Sequence, residues 1–186
     1  MTAVFFWRRT DLDGLERLEL SIGPDGIVAT GHVLSVEDGG FSLVHRWDVD
    51  PAWRARSVTV ERTNAEGRRV LTVERDGDGW RVDGAPRPDL DGVDEPDLSV
   101  TPFCNSLPLR RLPQADAASL TLDTAFIDGA ALTVARSRQR YHRKGPRRAR
   151  YVDLGLSLGF EADLDLDADG LVLRYEHLFE RVAPGT

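Results

Sequence analysis

The chain has 186 residues, and its 31 acidic and 24 basic side chains give a net charge of −7. This charge argues against general nucleic-acid binding and gives no attraction to anionic membrane surfaces. The length fits one domain covering residues 1–186, and the single cysteine, Cys104, cannot form an internal disulfide. The first residues lack the pattern of an export signal and no apolar run reaches the length of a membrane helix, so we expect a cytoplasmic protein.

Aspartate and glycine punctuate the sequence at short intervals, from residues 11–14 to residues 167–170. These residues suit the positive φ of tight hairpin turns, and the segments between them alternate apolar and polar residues. Such alternation is typical of strands that bury one face. The pattern predicts about twelve antiparallel strands, near residues 3–9, 15–21, 27–36, 41–49, 54–63, 68–75, 80–83, 97–100, 118–127, 130–142, 149–166 and 171–182.

Little of the sequence has a helical pattern. Residues 85–95 are acidic with prolines close by, and we interpret them as a loop. Residues 101–112 are apolar and basic and are interrupted by proline. Because proline donates no backbone hydrogen bond, this second segment is not a central strand, and it has room for one short helical turn.

The most regular alternation covers residues 152–166, where every second residue is apolar. It predicts one long strand with an apolar face and a small or acidic face. Strands of this length occur where a sheet coils into a barrel. We therefore expect a mainly β, single-domain protein with little helix, whose antiparallel coiled sheet forms a closed or half-open barrel. The apolar side chains of this strand either fill the barrel or line a hollow inside it.

A weak repeat relates the two parts of the chain. Gly79 and Gly170 close similar aspartate-rich turns, and the strands before them can be paired in the same order. The similarity suggests an internal duplication into halves of roughly residues 1–95 and 96–186, although any meander of hairpins looks partly self-similar.

Asp165, Asp167, Asp169, Gly170 and Glu176 match the spacing of a calcium-binding loop. Such a loop normally lies between two helices, whereas both flanks here alternate as strands do. An extended strand carries Glu176 about 20 Å along its length, at about 3.3 Å per residue. We therefore predict a plain acidic hairpin and no metal, with a calcium site inside the turn as the alternative.

Basic residues cluster between Arg136 and Arg150. Those on one strand face can form cross-strand ion pairs with Glu161, Asp163 and Asp165. The alternative is that the loop at residues 143–150 contacts an anion or a phosphate headgroup.

No catalytic constellation is visible in the sequence, and we predict no catalytic residue and no cofactor. Cys104 would act as a nucleophile only if a histidine folded against it. Phosphate-binding glycine loops and dinucleotide fingerprints are absent. The histidines lie in four different predicted strands and have no ligand spacing: His32, His45, His142 and His177.

Two segments carry a family resemblance. Residues 96–112 read PDLSVTPFCNSLPLRRL, and residues 160–175 read FEADLDLDADGLVLRY. Together they resemble a bacterial family named putative glycolipid-binding proteins, in which the core D-L-x-x-T-P-x-T-N-x-L-P-I-R-R-L precedes a D-x-D-G-L-V hairpin. Cys104 and Leu109 stand where this family has threonine and isoleucine. The resemblance covers nearly the whole chain.

The resemblance implies a barrel-like curved sheet similar to lipoprotein-localisation factors, with an amphipathic lipid or glycolipid as the partner. Matched residue by residue, it implies four polar ligand-binding candidates, Thr101, Asn105, Arg110 and Arg111. Asparagine suits sugar hydroxyls, and arginine offers a planar fork for phosphate or carboxylate. The alternative is structural, with Asn105 satisfying loop backbone groups and the arginines pairing with Asp97 or the acidic loop.

The function that we expect is non-enzymatic binding of such a lipid in an apolar hollow, as a carrier or a sensor. Two other classes stay open. One is an enzyme that acts on a lipid-like or sugar substrate with carboxylates such as Asp97 or Glu161. The other is an interaction module whose acidic strand face meets a basic partner.

Overall fold

The computed structural model describes residues 1–183, which form fifteen strands, one α-helix and two short 3₁₀ turns. The helix α1 covers Phe103–Arg111, and the 3₁₀ turns cover Glu37–Gly39 and Pro88–Leu90. The strands are β1 (Thr2–Arg9), β2 (Gly14–Gly23), β3 (Gly26–Ser35), β4 (Phe41–Val49), β5 (Ala55–Asn64), β6 (Gly67–Asp76), β7 (Gly79–Val82), β8 (Ala85–Pro86), β9 (Glu95–Leu98), β10 (Ser119–Asp128), β11 (Thr133–Gly145), β12 (Arg148–Asp153), β13 (Glu161–Leu166), β14 (Val172–Tyr175) and β15 (Phe179–Val182).

All fifteen strands belong to one sheet, in the order β8-β7-β6-β5-β4-β3-β2-β1-β15-β14-β13-β12-β11-β10-β9. Neighbours are antiparallel except for β9, which runs parallel to β10. The pairing of β1 with β15 joins the two halves of the sheet. Strands β8 and β9 are the two edges, so the mainly β fold is confirmed but the sheet is not closed by hydrogen bonds. Closure of the barrel, one of the two arrangements expected, is therefore not confirmed in the described residues.

The sheet has fifteen strands instead of about twelve because two predicted strands are hairpins. The prediction for residues 149–166 divides into β12 and β13, which pair with each other, and that for 171–182 divides into β14 and β15. The short strand β8 is the third addition. Alternation did not reveal the breaks because both arms of a hairpin keep the same inward and outward period. In the first hairpin, the Asp153 carboxylate accepts the N–H groups of Gly155 and Ser157, and Gly159 has a φ of +95°.

Side chains link the two edge regions of the sheet. The buried Glu95 of β9 accepts a hydrogen bond from the backbone N–H of Ala55 in β5, at 2.9 Å. Arg75 of β6 donates to the carbonyl oxygen of Asp94, just before β9, at 2.6 Å. The sheet is therefore strongly curled, and polar side chains hold together regions that lie far apart in the strand order.

The helix α1 lies inside the curled sheet. Its residues 103–109 are all buried, and Phe103 packs edge-on against Trp47 of β4 with ring centroids 5.8 Å apart. On the other side, Asn105 donates to the hydroxyl of Tyr141 in β11, and Arg143 donates to the carbonyl oxygen of Leu112. The helix thus fills much of the interior that a hollow barrel would leave open. It is also longer than the single turn expected from the sequence.

The outer face of β10 to β13 carries a ladder of ion pairs. Arg150 contacts both Glu161 and Asp163, each at 3.1 Å. Arg138 contacts Asp123 at 2.6 Å. The acidic strand face is therefore matched by arginines of the same sheet. The basic segment was predicted to form cross-strand ion pairs, and Arg150 does so with Glu161 and Asp163 of β13. Arg138 instead pairs with Asp123 of β10.

Candidate functional site

A cavity of about 260 Å³ opens between the start of α1, the end of β12 and the β14–β15 hairpin. We call it the aromatic cavity. Five aromatic side chains line it: Phe126, Tyr151, Phe160, Tyr175 and Phe179. Charged and polar side chains share the lining: Arg9, Asp97, Ser99, Thr101, Asn105, Asp153 and Ser157. A small apolar enclosure with a few convergent polar groups is the usual form of a small-molecule site.

Asp97 lies in β9, where the strand leads into the turn before α1. The Cys104 thiol donates a hydrogen bond to Asp97 Oδ1 at 3.0 Å. Burial raises the pKa of the Asp97 carboxyl, while this hydrogen bond opposes the rise and the nearby Asp153 carboxylate adds to it. Burial also raises the pKa of the Cys104 thiol, which keeps it protonated as a donor. A thiol held in this form is a poor nucleophile.

Asn105, in the first turn of α1, is buried and faces the same cavity. Its Nδ2 donates to the Tyr141 hydroxyl at 2.9 Å, and that hydroxyl donates to Gln139 Oε1 at 3.2 Å. Within residues 1–183, no donor reaches Asn105 Oδ1 or Asp97 Oδ2. These two oxygens are therefore acceptors that a bound molecule can use.

The aromatic wall is built by β12, the loop between β12 and β13, and β14. The Tyr151 ring lies 5.7 Å from that of Tyr175 and 6.0 Å from that of Phe160. Burial raises the pKa of both tyrosine hydroxyls, so they remain neutral donors. The Tyr151 hydroxyl donates to Asp153 Oδ2 at 3.1 Å, which orients this second carboxylate at the cavity.

A buried polar network connects the turn before α1 to strands β2 and β4. Thr101 and His45 Nε2 both donate to Glu16 Oε1, each at 2.8 Å, while Trp47 Nε1 donates to His45 Nδ1. The tryptophan bond requires His45 Nδ1 to be an acceptor, so the ring proton lies on Nε2. Gly31 of β3 permits this contact because a Cβ at that position would collide with the His45 ring.

The four candidates that the resemblance implied are divided between two regions. Thr101 and Asn105 line the aromatic cavity, at its floor near α1. Arg110, at the other end of the helix, stacks over Trp53 with its guanidinium carbon 3.5 Å from the ring centroid, and it borders a separate polar groove of about 460 Å³. Arg111 forms an ion pair with the buried Glu95.

Sequence reasoning missed Tyr151, Asp153, Phe160 and Tyr175. Each of these residues fits the alternating pattern of a strand, so none of them stood out. The turn between β12 and β13 lies inside the single long strand that was predicted for residues 149–166. The glycines at positions 155 and 159 were the available signal for that turn, since Gly159 adopts a positive φ.

The carboxylates with calcium-loop spacing do not converge. Asp167 Oδ1 caps the backbone N–H groups of Asp169 and Leu171, and Asp167 Oδ2 pairs with Arg181 at 2.6 Å. Glu176 accepts the N–H of residue 163. In residues 1–183, no group of three or more His, Cys, Asp or Glu side chains is placed to hold a metal ion.

The fold and the cavity define a curled β-sheet protein with an internal helix and a small amphipathic cavity. The chain belongs to the family described as "Putative glycolipid-binding", whose family model matches residues 4–181. This confirms the family that the two motifs resembled. The crystal structure of a DUF1089 family protein from Pseudomonas aeruginosa is similar, with a TM-score of 0.82 and 31% sequence identity over 91% of this chain and 92% of that chain. A comparison with curated proteins finds no match.

No helix among residues 1–183 has both the length and the apolar composition needed to cross a membrane.

Proposed function

We propose that this protein binds a glycolipid without chemical change and holds its sugar headgroup in the aromatic cavity. The family description supports a glycolipid as the ligand. The same proposal makes it a carrier or sensor in the cytoplasm.

One observation carries the proposal: aromatic faces and open acceptors line the same enclosure. Tyr175 and Phe160 offer apolar surfaces to the C–H groups of a sugar ring. Asp97 Oδ2 and Asn105 Oδ1 lack donors among the described residues, and sugar hydroxyls are donors. A purely apolar ligand would leave these oxygens without partners, which is costly in a buried site.

Thr101 also lines the cavity, but its hydroxyl is already bonded to Glu16. We therefore assign it a supporting role and assign direct contacts to Asp97, Asn105 and Tyr175. Arg110 and Arg111 are held outside the aromatic cavity by Trp53 and Glu95, so they are not part of the proposed headgroup contact.

The test compares two lipids with identical acyl chains, a monoglucosyl diacylglycerol and a phosphatidylcholine, by native mass spectrometry and calorimetry in detergent. We expect the glycosyl lipid to bind more tightly, and Asp97→Asn to raise its Kd about ten-fold or more because a charged acceptor is lost. Glu161→Gln is the control, since that carboxylate pairs with Arg150 on the outer face. Equal binding of both lipids would overturn the proposal.

A second candidate function is hydrolysis of a glycosidic bond. It is favoured by the presence of two carboxylates, Asp97 and Asp153, at one cavity, because glycosidases use such a pair. The raised pKa of the Asp97 carboxyl suits a proton donor. Glu161, which the sequence also suggested for this role, lies outside the cavity and pairs with Arg150. Release of free sugar from the glucosyl lipid by the wild type, but not by Asp97→Asn, would establish the enzyme.

A further inference from the structure

We propose that the loop between β12 and β13 inserts into the surface of a lipid bilayer, so that the aromatic cavity takes the headgroup of a lipid still seated in the membrane. We call residues 154–160 the leucine loop. This inference rests on the proposed glycolipid binding, and it adds that the glycolipid is bound while its acyl chains remain in the membrane.

The leucine loop is uncharged and exposes large apolar side chains. It reads Leu-Gly-Leu-Ser-Leu-Gly-Phe, in a chain of which 30% of the residues are charged. Leu156 is 56% exposed and Leu158 is 79% exposed. A single exposed leucine is ordinary, but two at the tip of an uncharged loop form a local apolar projection.

Hydrogen bonds hold this projection at the mouth of the cavity. Asp153 Oδ1 accepts the N–H groups of Gly155 and Ser157 at 2.8 and 3.0 Å, and Ser137 Oγ accepts the N–H of Leu156 at 3.2 Å. Ser157 and Phe160 of the same loop line the aromatic cavity. The exposed leucines are therefore fixed beside the opening through which a headgroup would enter.

The size of the cavity argues for a ligand whose chains stay outside. Its volume is about 260 Å³, below the range of about 300–1,000 Å³ typical of sites for drug-sized ligands. Each acyl chain of a bilayer spans about 15 Å, half of the hydrocarbon thickness. The cavity therefore has room for a sugar ring and not for two acyl chains, which can remain in the bilayer that the leucines enter.

The net charge of the chain indicates which force would hold the protein at the bilayer surface. With a net charge of −7, the protein gains nothing from anionic lipids. Insertion of apolar side chains is insensitive to salt, whereas attraction between exposed charges is screened. We therefore expect binding to zwitterionic vesicles that persists at high salt and weakens when anionic lipid is added.

The experiment measures sedimentation with phosphatidylcholine vesicles that contain a minor fraction of monoglucosyl diacylglycerol. We expect the wild type to bind, and Leu156→Ser/Leu158→Ser to lower the partition coefficient about ten-fold or more, from the transfer free energy of the lost apolar surface. Leu34→Ser is the matched control, because Leu34 is 64% exposed in β3. All three side chains are exposed, so thermal melting should show that the variants remain folded.

A solution experiment separates this inference from the proposed function. Monomeric octyl glucoside, below its micelle concentration, should bind the wild type and the double leucine variant equally, because the cavity itself is unchanged.

If the wild type instead extracts the glucosyl lipid into solution and leaves the vesicles, the membrane-bound state is wrong and the glycolipid site stands. Equal sedimentation of wild type and double variant, or an equal loss in Leu34→Ser, would also overturn the inference. Leucine-dependent sedimentation without octyl glucoside binding would overturn the proposed function alone.

Discussion

Asp97 is partly buried and has an unshared oxygen at the cavity. Its Oδ1 accepts a hydrogen bond from the thiol of Cys104. Cys104 stands where the family motif that the sequence resembles has a threonine. Thiol and hydroxyl groups are both donors, so a cysteine at this position still donates to the carboxylate, although its hydrogen bond is weaker. The remaining oxygen is the feature that makes this residue a candidate for contact with a ligand.

The raised pKa of Asp97 predicts a pH-dependent effect of Asp97→Asn on stability. A carboxyl whose pKa is higher in the folded state than in the unfolded state contributes stability at low pH, and that contribution is lost as the pH rises through the folded value. Asparagine has no such loss. The melting temperature of the variant relative to the wild type should therefore rise as the pH increases above about 4, the ordinary pKa of an aspartate. A difference that falls as the pH increases would contradict the prediction, and Glu161→Gln serves as the exposed control.

At the scale of the elements, the β12–β13 hairpin and α1 each supply part of the lining of the aromatic cavity. The hairpin supplies Tyr151, Asp153 and Phe160, and the helix supplies Asn105. The Asp153 carboxylate does two things there, since Oδ2 accepts from Tyr151 and Oδ1 holds the leucine loop. The loop conformation and the cavity wall are therefore coupled through one side chain.

This coupling predicts that Asp153→Ala releases the leucine loop. The N–H groups of Gly155 and Ser157 lose their acceptor, and each bond to a charged group is worth about 1.5–3 kcal/mol. Amide hydrogen exchange at residues 155 and 157 should accelerate about ten-fold or more. Exchange in β4, far from the hairpin in strand order, should be unchanged. Uniform acceleration across the sheet would instead indicate general destabilisation.

At the scale of the whole molecule, the curled sheet depends on side-chain contacts between its edge regions. Glu95 accepts from Ala55 in β5 and pairs with Arg111 at the end of α1. It joins the edge strand β9, the helix and the opposite part of the sheet. Since the strands do not close by backbone hydrogen bonds, such contacts have a larger share in holding the curl than in a closed barrel.

We therefore predict that Glu95→Ala destabilises the protein by about 3 kcal/mol, because the buried partner groups are left unpaired. Urea unfolding should show a lower midpoint with an unchanged slope. Glu180→Ala is the matched control, since the Glu180 side chain is 46% exposed where it pairs with Arg8. The control should change stability by no more than about 0.5 kcal/mol. A similar loss in both variants would contradict a special role for Glu95.

The sequence by itself determined the mainly β character of the chain and its family. Alternation and turn residues predicted the mainly β architecture and, closely, most strands from β1 to β7, because one face of each strand is buried against the interior. The motif at residues 96–112 identified the family, and Thr101 and Asn105 of that motif line the cavity.

Only the tertiary structure decided which apolar positions are buried and which residues meet. The alternation of residues 152–166 continues through a turn, so Leu164 is fully buried while Leu158 is exposed. Asp97, Asp153 and Tyr175 are distant in sequence, and their meeting depends on the curl of the sheet and the position of α1 inside it. A periodic pattern records which face each strand buries, but it contains no information about where a hairpin folds back or what fills the space between strands.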